Sequence, residues 1–589
     1  MRVNTSGIER ASERVAITFD GVPLDAYPGE VVGAALSAAG HLPLRQTQTG
    51  EARGLFCGMG VCSECLVRID GEPNQRACMT RIRAGMAIER QRDPIASPGA
   101  RPPRSREVEL RPDILVIGGG PAGLAAARAA AVSGAKVLLV DERAALGGQF
   151  FKPLAASHRF TGNVPRDRQY AGGRTLVQTV EAAGVEIMCE TEVWGAFAPD
   201  EITLLSGGTD YIIRPRRLIL ATGAYERGVP VPGWTLPGFM TTGAAQTLLR
   251  AYQVAPGRRI LVAGNGPLNL QVAAELLRAG AEVVGLVEAA RSPMSHPAAL
   301  LAALRHGPDL VRDGMGYRTR LFFSRAPILH GHAVLRADGR GKVETVTVGR
   351  VDGAGRGVPG TERSFEVDAV LVGYGFQPSA EIARMLGCRH SFDPTRGMLV
   401  AERDEAGRTS LGEVFIAGDG GGLGGARVAI AQGFLAGIAA AADLGHRADP
   451  ALLREQRGHG RALRRNLAFQ RALWRLYDAP RLLDQLATDD TIVCRCESVT
   501  LGQVRASFEE GAHAIGSAKR ATRAGMGRCQ GRYCAPILAE LASRASGIPI
   551  DEFSFFAPRM PTKPIPIASV ARAVAKTPGT LSMPSAREK

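Results

Sequence analysis

Eight of the ten cysteines in this 589-residue chain fall into two tight groups. The groups are Cys57, Cys62, Cys65, Cys78 and Cys494, Cys496, Cys529, Cys534. Grouping of this kind is typical of metal or iron–sulfur ligands rather than of disulfides. Cys189 and Cys388 stand apart from any C-x-x-C pair. We expect these two to be buried apolar thiols.

The spacing of the first group, C-x4-C-x2-C-x12-C, suits a [2Fe–2S] centre held by four thiolates. Three of the ligands share one glycine-rich loop. Gly58 and Gly60 there allow unusual backbone angles and leave N–H groups close to cluster sulfurs. Zinc is the alternative, but zinc sites favour paired knuckles on two separate arms. The spacing therefore favours iron–sulfur.

A glycine-rich turn, Gly118-Gly-Gly120-Pro121-Ala122-Gly123, follows an apolar strand and opens a helix. It belongs to a βαβ unit of about 30 residues that ends near Glu142. Gly118 would make the turn, Gly120 would let a pyrophosphate reach the helix N-terminus, and Gly123 would permit helix–sheet packing. Glu142 would accept hydrogen bonds from ribose hydroxyls. We expect a dinucleotide cofactor here.

A second unit of the same design spans residues 258–288, with Gly264 and Gly266 at its turn. Asn269 replaces the third small residue of the motif, so two interpretations stay open. The unit is either a working site for NAD(H) or another adenine nucleotide, or a scaffold without nicotinamide. Glu288 would favour the free 2′-hydroxyl of NAD over the 2′-phosphate of NADP, although Arg291 lies close by.

Composition and motif content argue against nucleic-acid binding, a membrane span and hydrolytic activity. The formal charge is +15, but aromatic residues make up only 5% and form no basic-aromatic platform, so we do not expect a nucleic-acid partner. Residues 447–481 hold nine Arg against three acids, which predicts a solvated or interface-facing helix. No apolar run reaches about 18 residues and no secretory signal is evident, so we expect a cytoplasmic protein without a membrane span. Hydrolase and metalloprotease motifs are absent from the sequence.

Local patterns indicate how these motifs are positioned. Residues 14–27 alternate apolar and polar around an Asp20-Gly21 turn, which predicts a hairpin. A helix over 31–40 ending at Gly40, the cysteine loop and a strand over 66–71 complete the order of a β-grasp fold. The two βαβ units predict two doubly wound domains.

Three regions carry a resemblance to known families. The first cysteine group resembles plant-type and succinate-dehydrogenase-type ferredoxins. LILATGA (218–224, with Gly223) and EVFIAGDGGG (413–422, with Gly418) resemble flavoproteins of the glutathione reductase type, in which the position of Asp419 holds the ribityl chain of FAD. KRATRAGMGRCQGRYC (519–534) resembles the bacterioferritin-associated-ferredoxin-like [2Fe–2S] module, with zinc again an alternative. Lys519, Arg520 and Arg523 would offset the charge of that cluster or dock an acidic partner.

The order of these regions resembles the electron-transfer subunits of heteromeric amino-acid and opine dehydrogenases, a group that includes opine oxidase, D-hydroxyproline dehydrogenase, hydrogen cyanide synthase and the sarcosine oxidase α subunit. The resemblance implies FAD, two [2Fe–2S] clusters and a ferredoxin fused to the larger subunit. It also implies a partner flavoprotein resembling D-amino-acid oxidase, which oxidises the substrate, and an unidentified electron acceptor. No catalytic residue of this chain is predicted. The alternatives are a self-sufficient NADH-dependent reductase and a non-catalytic scaffold or iron–sulfur handling protein.

The predicted fold is multidomain α/β, with a β-grasp ferredoxin domain, a glutathione-reductase-like core and a small helical [2Fe–2S] domain. The predicted boundaries are 1–92 (ferredoxin domain), 93–111 (linker), 112–236 and 367–445 (two parts of the FAD-binding domain), 237–366 (NAD-type domain), 446–490 (basic helical segment), 491–555 (C-terminal [2Fe–2S] domain) and 556–589 (an extended, Pro-rich tail).

Overall fold

The computed structural model describes residues 1–92, 107–162 and 167–575. The N-terminal region forms a seven-stranded sheet around one helix, in which the order β3-β2-β8-β4-β5 is extended by β6 and β7. The elements of this region are β1 (Ile8–Arg10), which lies outside the sheet, β2 (Val15–Phe19), β3 (Val22–Ala26), α1 (Val32–Ala38), β4 (Pro43–Gln46), β5 (Ala52–Gly54), β6 (Leu66–Ile69), β7 (Glu72–Arg76) and β8 (Ala87–Arg92). The predicted hairpin is confirmed, since Phe19 pairs with Val22 across Asp20 and Gly21. The short strands β4 and β5 were not predicted.

The next region contains the first doubly wound sheet, whose five parallel strands are, in spatial order, β13 (Glu186–Met188), β11 (Val137–Val140), β10 (Ile114–Ile117), β17 (Arg217–Leu220) and β30 (Val414–Ile416). Its apolar strands are buried on both faces, as parallel sheets require. The elements are β9 (Glu107–Leu110), β10 (Ile114–Ile117), α2 (Pro121–Val132), β11 (Val137–Val140), α3 (Gly148–Phe151), β12 (His158–Phe160), α4 (Arg168–Ala182), β13 (Glu186–Met188), β14 (Thr191–Ala198), β15 (Glu201–Ser206), β16 (Thr209–Ile213), β17 (Arg217–Leu220) and β18 (Ala224–Glu226).

A second doubly wound sheet, β19-β26-β20-β21-β22, is inserted between β17 and β30 of the first. Its region comprises β19 (Phe239–Thr241), α5 (Thr242–Tyr252), β20 (Arg259–Gly264), α6 (Pro267–Arg278), β21 (Glu282–Glu288), α7 (Pro297–His306), α8 (Pro308–Phe323), β22 (Ile328–His330), β23 (His332–Asp338), β24 (Thr345–Arg350), β25 (Arg363–Glu366) and β26 (Ala369–Gly373). The prediction of two doubly wound domains is therefore confirmed.

The chain then returns to the first sheet and continues into one long helix and several short ones. These elements are β27 (Phe376–Pro378), α9 (Glu381–Met385), β28 (His390–Asp393), β29 (Met398–Ala401), β30 (Val414–Ile416), α10 (Ala426–Ala442), α11 (Pro450–Leu476), β31 (Ile492–Cys494), β32 (Val499–Thr500), α12 (Leu501–Glu509), α13 (Ile515–Thr522), α14 (Ala535–Ser546) and α15 (Ile567–Ala575). Within the described ranges, every helix is too short or too polar to cross a bilayer.

Two segments differ from the sequence expectation. Of the predicted linker, residues 93–106 lie outside the described residues, and 107–110 form β9, which pairs with β16. The tail was expected to be extended, but residues 567–575 form α15 because IASVARAVA is free of proline and rich in alanine. Residues 576–589 lie outside the described residues.

Candidate functional site

The first cysteine group is buried, with each of its four residues at most 6% exposed. Three of them lie on the loop between β5 and β6, and Cys78 follows β7. Gly58 and Gly60 adopt φ values of 61° and 78°, as the sequence predicts. The amide of Cys62 donates to Cys57 Sγ at 3.4 Å, and the amide of Glu64 donates to Cys62 Sγ at 3.5 Å.

The thiols of this group associate in pairs, Cys57 with Cys62 and Cys65 with Cys78. Burial raises the pKa of Cys57, but the Cys62 thiol and nearby amides donate to it and lower the pKa to about 6. No three His, Cys, Asp or Glu side chains in the described ranges converge as a single metal ion would need. A [2Fe–2S] centre takes two thiolates on each of its two irons, and four buried thiols in two neighbouring pairs can supply them.

The second cysteine group has the same paired arrangement. Cys494 associates with Cys534, and Cys496 with Cys529. The amide of Gly525 donates to Cys494 Sγ at 3.4 Å. Of the basic residues singled out in the sequence, Lys519 lies over the ring of Phe556 and Arg523 pairs with Glu497 at 2.9 Å. Arg520 donates to Ser517. The lone Cys388 is buried as expected, whereas Cys189 is only partly buried.

The two cysteine groups touch, although they are more than 400 residues apart in sequence. Cys496 Sγ lies 3.9 Å from the carbonyl oxygen of Cys62. Arg53 reaches Ser498 Oγ at 3.4 Å, and Arg528 reaches Asn74 Oδ1 at 3.0 Å. The N-terminal and C-terminal domains thus dock with their cysteine loops face to face.

The first glycine-rich turn lies between β10 and α2, with Pro121 in the first turn of the helix and Ala122 buried. A Cβ on Gly118 would lie 2.4 Å from Ala221 O, and one on Gly123 would lie 1.7 Å from Gly118 O. Both positions therefore require glycine. A Cβ on Gly120 would meet only Gly148 Cα, at 3.8 Å, so this residue faces open space at the helix N-terminus. That space is where a pyrophosphate group would bind.

Two acidic residues follow β11, and sequence reasoning singled out only the second. Asp141 Oδ2 accepts a hydrogen bond from the amide of Gly119 at 2.6 Å, so Asp141 lies directly against the glycine turn. Glu142 instead forms an ion pair with Lys563 of the C-terminal segment. Burial and the nearby Arg76 lower the pKa of Lys563 to about 7. Asp141 is the first residue after the strand, and that position could have identified it.

The other predicted flavin-binding residues gather at the same end of the first sheet. Gly223 follows β17 with φ of 68°. A Cβ on Gly418 would lie 2.9 Å from Ala122 Cβ. Asp419 Oδ1 accepts hydrogen bonds from the amides of Gly424 and Gly425, at 2.8 and 2.9 Å, just before α10.

A buried lysine and a buried glutamate lie beside this region and were missed by sequence reasoning. Lys152 Nζ donates to Thr247 Oγ1 at 2.7 Å and to Gly243 O at 3.1 Å, while Glu226 accepts from the amide of Gly243 at 2.9 Å. Burial and the nearby Arg143 lower the pKa of Lys152 to about 7. Burial raises the pKa of Glu226 to about 7. Glu226 stands two residues after LILATGA, which is the only sequence signal for it.

In the second glycine-rich turn, Gly266 faces open space, whereas the side chain of Asn269 occupies the position of the motif's third small residue. A Cβ on Gly266 would meet no atom within 4 Å, whereas one on Gly264 would lie 2.5 Å from Asn269 Nδ2. Glu288 accepts hydrogen bonds from the amides of Gly266 and Ala290, at 3.2 and 3.1 Å. Burial raises the pKa of Glu288 to about 8.

A continuous cavity of about 2390 Å³ joins these features. Its lining includes Gly120, Asp419, Lys152 and Glu226 of the first site, and Gly266, Glu288 and Arg291 of the second. Cys57 also lines it. A Cβ on Gly58 would lie 2.9 Å from Ala244 Cα, so the cysteine loop packs against the N-terminus of α5 at the cavity wall. An elongated dinucleotide and a one-electron carrier would therefore meet at this wall.

Comparison with known proteins agrees with this arrangement. Residues 12–93 match the 2Fe-2S iron-sulfur cluster binding domain, residues 112–307 the pyridine nucleotide-disulphide oxidoreductase family, and residues 492–544 the BFD-like [2Fe-2S] binding domain. The A subunit of opine oxidase from Rhizobium meliloti (strain 1021) is 35% identical over 474 residues, which cover 78% of this chain and 98% of the relative. The chain belongs to the family of opine oxidase A subunits.

One further relative supports this assignment, and one solved structure supports the fold. Hydrogen cyanide synthase subunit HcnB of Pseudomonas aeruginosa is 31% identical, over 78% of this chain and 98% of the relative. The crystal structure of L-proline dehydrogenase from P. horikoshii superposes with a TM-score of 0.71 at 23% identity, covering 97% of this chain and 100% of that one. Members of the family of opine oxidase A subunits are components of oxidoreductases, and this member carries two [2Fe–2S]-binding domains around a flavoprotein core.

Proposed function

We propose that the chain is an FAD- and iron–sulfur-containing subunit that relays electrons from a partner flavoprotein to a downstream acceptor. The partner resembles D-amino-acid oxidase and oxidises an amino acid, an imino acid or an opine. The observation that carries the proposal is a chain of neighbours. Cys57 lines the same cavity as Gly120, and Cys496 of the second cysteine group touches Cys62 of the first. Flavin, when bound, takes up two electrons together and releases them singly, whereas each [2Fe–2S] centre carries one.

The chain's own residues fit this work. Gly120 and the N-terminus of α2 would bind the pyrophosphate of FAD, and Asp419 would hold its ribityl chain. Lys152, with a pKa of about 7, can hold or release a proton at Nζ near neutral pH. Two-electron reduction of a flavin takes up protons, whereas one-electron transfer through thiolate-bound iron does not. Lys152, at the cavity wall, is placed to exchange such a proton.

The proposal is tested on the full chain loaded with FAD and iron, with and without the partner flavoprotein purified from the source organism. Amino acids, N-alkyl amino acids and opines are screened with an artificial dye as acceptor. We expect turnover only when the partner is added. Robust turnover by the isolated chain would contradict the proposed division of work between two subunits.

A second candidate, an NADH-dependent reductase, is favoured by the open space at Gly266. Against it, the end of α11 lies against this turn. The side-chain amide of Asn265, beside Gly266, donates to the carbonyl oxygen of Tyr477 at 2.9 Å. Calorimetric titration with NADH and NADPH and an NADH-plus-dye assay test this candidate. Because Glu288 lies at this turn, we expect any nicotinamide that binds to be NAD(H).

A further inference from the structure

Helix α11 carries a row of exposed arginines, here called the arginine stripe. Its members are Arg454, Arg457, Arg461, Arg464, Arg471 and Arg475. Spacings of three, four and seven residues place all six on one face of the helix. At 1.5 Å per residue the stripe is about 32 Å long.

The stripe is not neutralised by this chain. Within residues 1–92, 107–162 and 167–575, none of the six arginines forms an ion pair or a side-chain hydrogen bond, whereas Arg128 reaches Glu455 of the same helix at 2.7 Å. The apolar face of α11 is already buried, because Phe469, Ala472 and Leu476 pack against α7. An interfacial membrane helix would need that face for lipid. The stripe is therefore available for a protein partner.

The neighbouring helix α7 adds exposed apolar residues. Leu301 is 69% exposed and Leu304 is 43% exposed. Protein interfaces combine apolar contacts with a polar rim and are enriched in arginine. We propose that the arginine stripe, together with these leucines, is the docking surface for an acidic face of the partner flavoprotein. This inference rests on the proposed function and specifies where that partner binds.

The test compares two sixfold Arg→Gln variants of the full, cofactor-loaded chain. One replaces the stripe, and the control replaces six exposed arginines elsewhere, which are Arg83, Arg216, Arg340, Arg356, Arg363 and Arg389. Both lose the same charge. The native complex is purified through a tag, its flavoprotein partner is separated at high salt, and rebinding is measured at low and high salt. We expect the stripe variant to bind at least tenfold more weakly, the control to bind within twofold of wild type, and the wild-type affinity to fall with salt.

Normal binding of the flavoprotein by the stripe variant would overturn this inference alone. So would stripe-dependent binding of phosphatidylglycerol vesicles or duplex DNA with unchanged flavoprotein binding. A native preparation that contains no flavoprotein partner would contradict the proposed function as well.

A separate observation concerns Arg495, which lies between the two cysteine groups. Its side chain is 4% exposed, and its guanidinium carbon is 3.9 Å from the ring centroid of Phe56. Arg495 donates to the carbonyl oxygen of Trp234 at 2.6 Å and to Glu64 Oε2 at 3.4 Å. Arg495 separates Cys494 from Cys496, and Glu64 lies between Cys62 and Cys65.

Glu64 is fully buried and shared by three arginines. Arg45 reaches its carboxylate at 3.2 Å and Arg53 at 3.5 Å, in addition to Arg495. Arg53 also pairs with the half-exposed Glu51 at 2.7 Å. Arg495 therefore adds a buried guanidinium from the C-terminal domain to the layer between the two groups. A [2Fe–2S] centre with four thiolates is anionic and becomes more so on reduction, so nearby buried cations favour its reduced form.

We infer that Arg495 is a positioning residue shared by both clusters, which holds the two cysteine loops together and raises the reduction potential of each. The inference rests on the proposed function, since it requires both clusters. It is tested with the anaerobic holoprotein by redox titration followed by electron paramagnetic resonance. The variants are Arg495→Met, Arg495→Lys and, as control, Arg505→Gln, which removes a partly exposed charge from the same domain.

We expect Arg495→Met to lower the potentials of both clusters, Arg495→Lys to restore most of the loss, and Arg505→Gln to leave both unchanged. The fully reduced wild type should show magnetic interaction between the two centres, because the loops touch. A shift confined to one cluster, or no shift, would overturn the inference. If Arg495→Met loses a cluster, the inference is tested by the potentials of Arg495→Lys and by the spectrum of the reduced wild type. Wild-type signals without magnetic interaction between the two centres would then overturn the inference. Fewer than four irons in wild type would instead count against the proposed function.

Discussion

The side-chain amide of Asn269 donates to the carbonyl oxygen of Gly373 at 2.9 Å, across the start of α6 and the end of β26. Thr242 Oγ1 in turn donates to Asn269 Oδ1 at 2.8 Å. Asn269 is 1% exposed, so its amide is turned into the sheet and away from the cleft. The departure from the glycine motif is therefore accommodated by packing and does not fill the nucleotide cleft.

Replacing Asn269 by Ala should destabilise the second domain without closing its cleft. The substitution leaves Thr242 Oγ1 without its acceptor and removes one of two hydrogen bonds to Gly373 O, the other coming from the amide of Asn265. The loss costs about 1–3 kcal/mol. We expect a lower thermal midpoint by differential scanning fluorimetry. Titration with NADH should give the same result as for wild type, and a change in nucleotide affinity with no loss of stability would contradict this interpretation.

Features set by local sequence were predictable. The Asp20-Gly21 hairpin, the positive φ of Gly58 and Gly60, and the paired βαβ units follow from turn chemistry and from short-range apolar patterns. Three thiols of the first group also share one loop, and the second group consists of two pairs that are close in sequence. These signals need no knowledge of how the domains dock.

Features set by docking were not predictable. Lys152 and Glu226 acquire shifted pKa values only because several elements bury them together. The contact between Cys62 and Cys496 joins the first domain to the last. Lys563 reaches Glu142 from a segment expected to be an extended tail. No short-range pattern encodes such contacts, since each depends on the relative placement of separately folded units.

Asp141 and Glu142 should contribute unequally to flavin binding. Asp141 faces the glycine turn, whereas Glu142 is engaged by Lys563. We expect Asp141→Asn to weaken flavin retention at least tenfold and Glu142→Gln to weaken it only slightly. Flavin content after gel filtration and the dissociation constant from fluorescence titration measure the difference. A larger loss in Glu142→Gln would support Glu142 as the ribose-binding residue, as its position in the sequence predicts.

Gly120→Val should abolish flavin binding while preserving the fold. Gly120 has an ordinary φ of −81°, and its nearest obstacle is at 3.8 Å, so the chain tolerates the side chain but a pyrophosphate would not. The matched control is Gly460→Val, on α11, where a Cβ meets nothing within 4 Å. Flavin should be FAD, released by heat because it is non-covalent. Normal flavin content in Gly120→Val would place the site elsewhere.

Each cysteine group should hold its own [2Fe–2S] cluster. Anaerobically prepared protein should contain four irons and four acid-labile sulfides per chain. Cys62→Ser and Cys529→Ser should each remove one spectroscopically distinct cluster, whereas Cys388→Ser, which changes a lone buried thiol, should remove neither. Stoichiometric zinc in the native preparation, with fewer than two irons per chain, would favour the zinc alternative.

Glu288 should make stability fall as pH rises. Burial raises its pKa in the folded chain to about 8 from an ordinary value of 4.5, so the folded state binds a proton that the unfolded state has released. The contribution is complete below pH 4.5 and is lost as pH rises through 8. The total loss is on the order of a few kcal/mol. Glu288→Gln stays neutral throughout, so the decline of its thermal midpoint between pH 5 and 8.5 should be shallower than that of wild type.

The comparison between the two proteins isolates Glu288 from every other titrating group, because those groups are common to both. The flavin-loaded chain is used at each pH, with flavin content checked so that cofactor loss is not mistaken for unfolding. Parallel midpoint curves for Glu288→Gln and wild type would show that Glu288 is already ionised in the folded chain. That result would mean that its hydrogen bonds with the amides of Gly266 and Ala290 outweigh its burial.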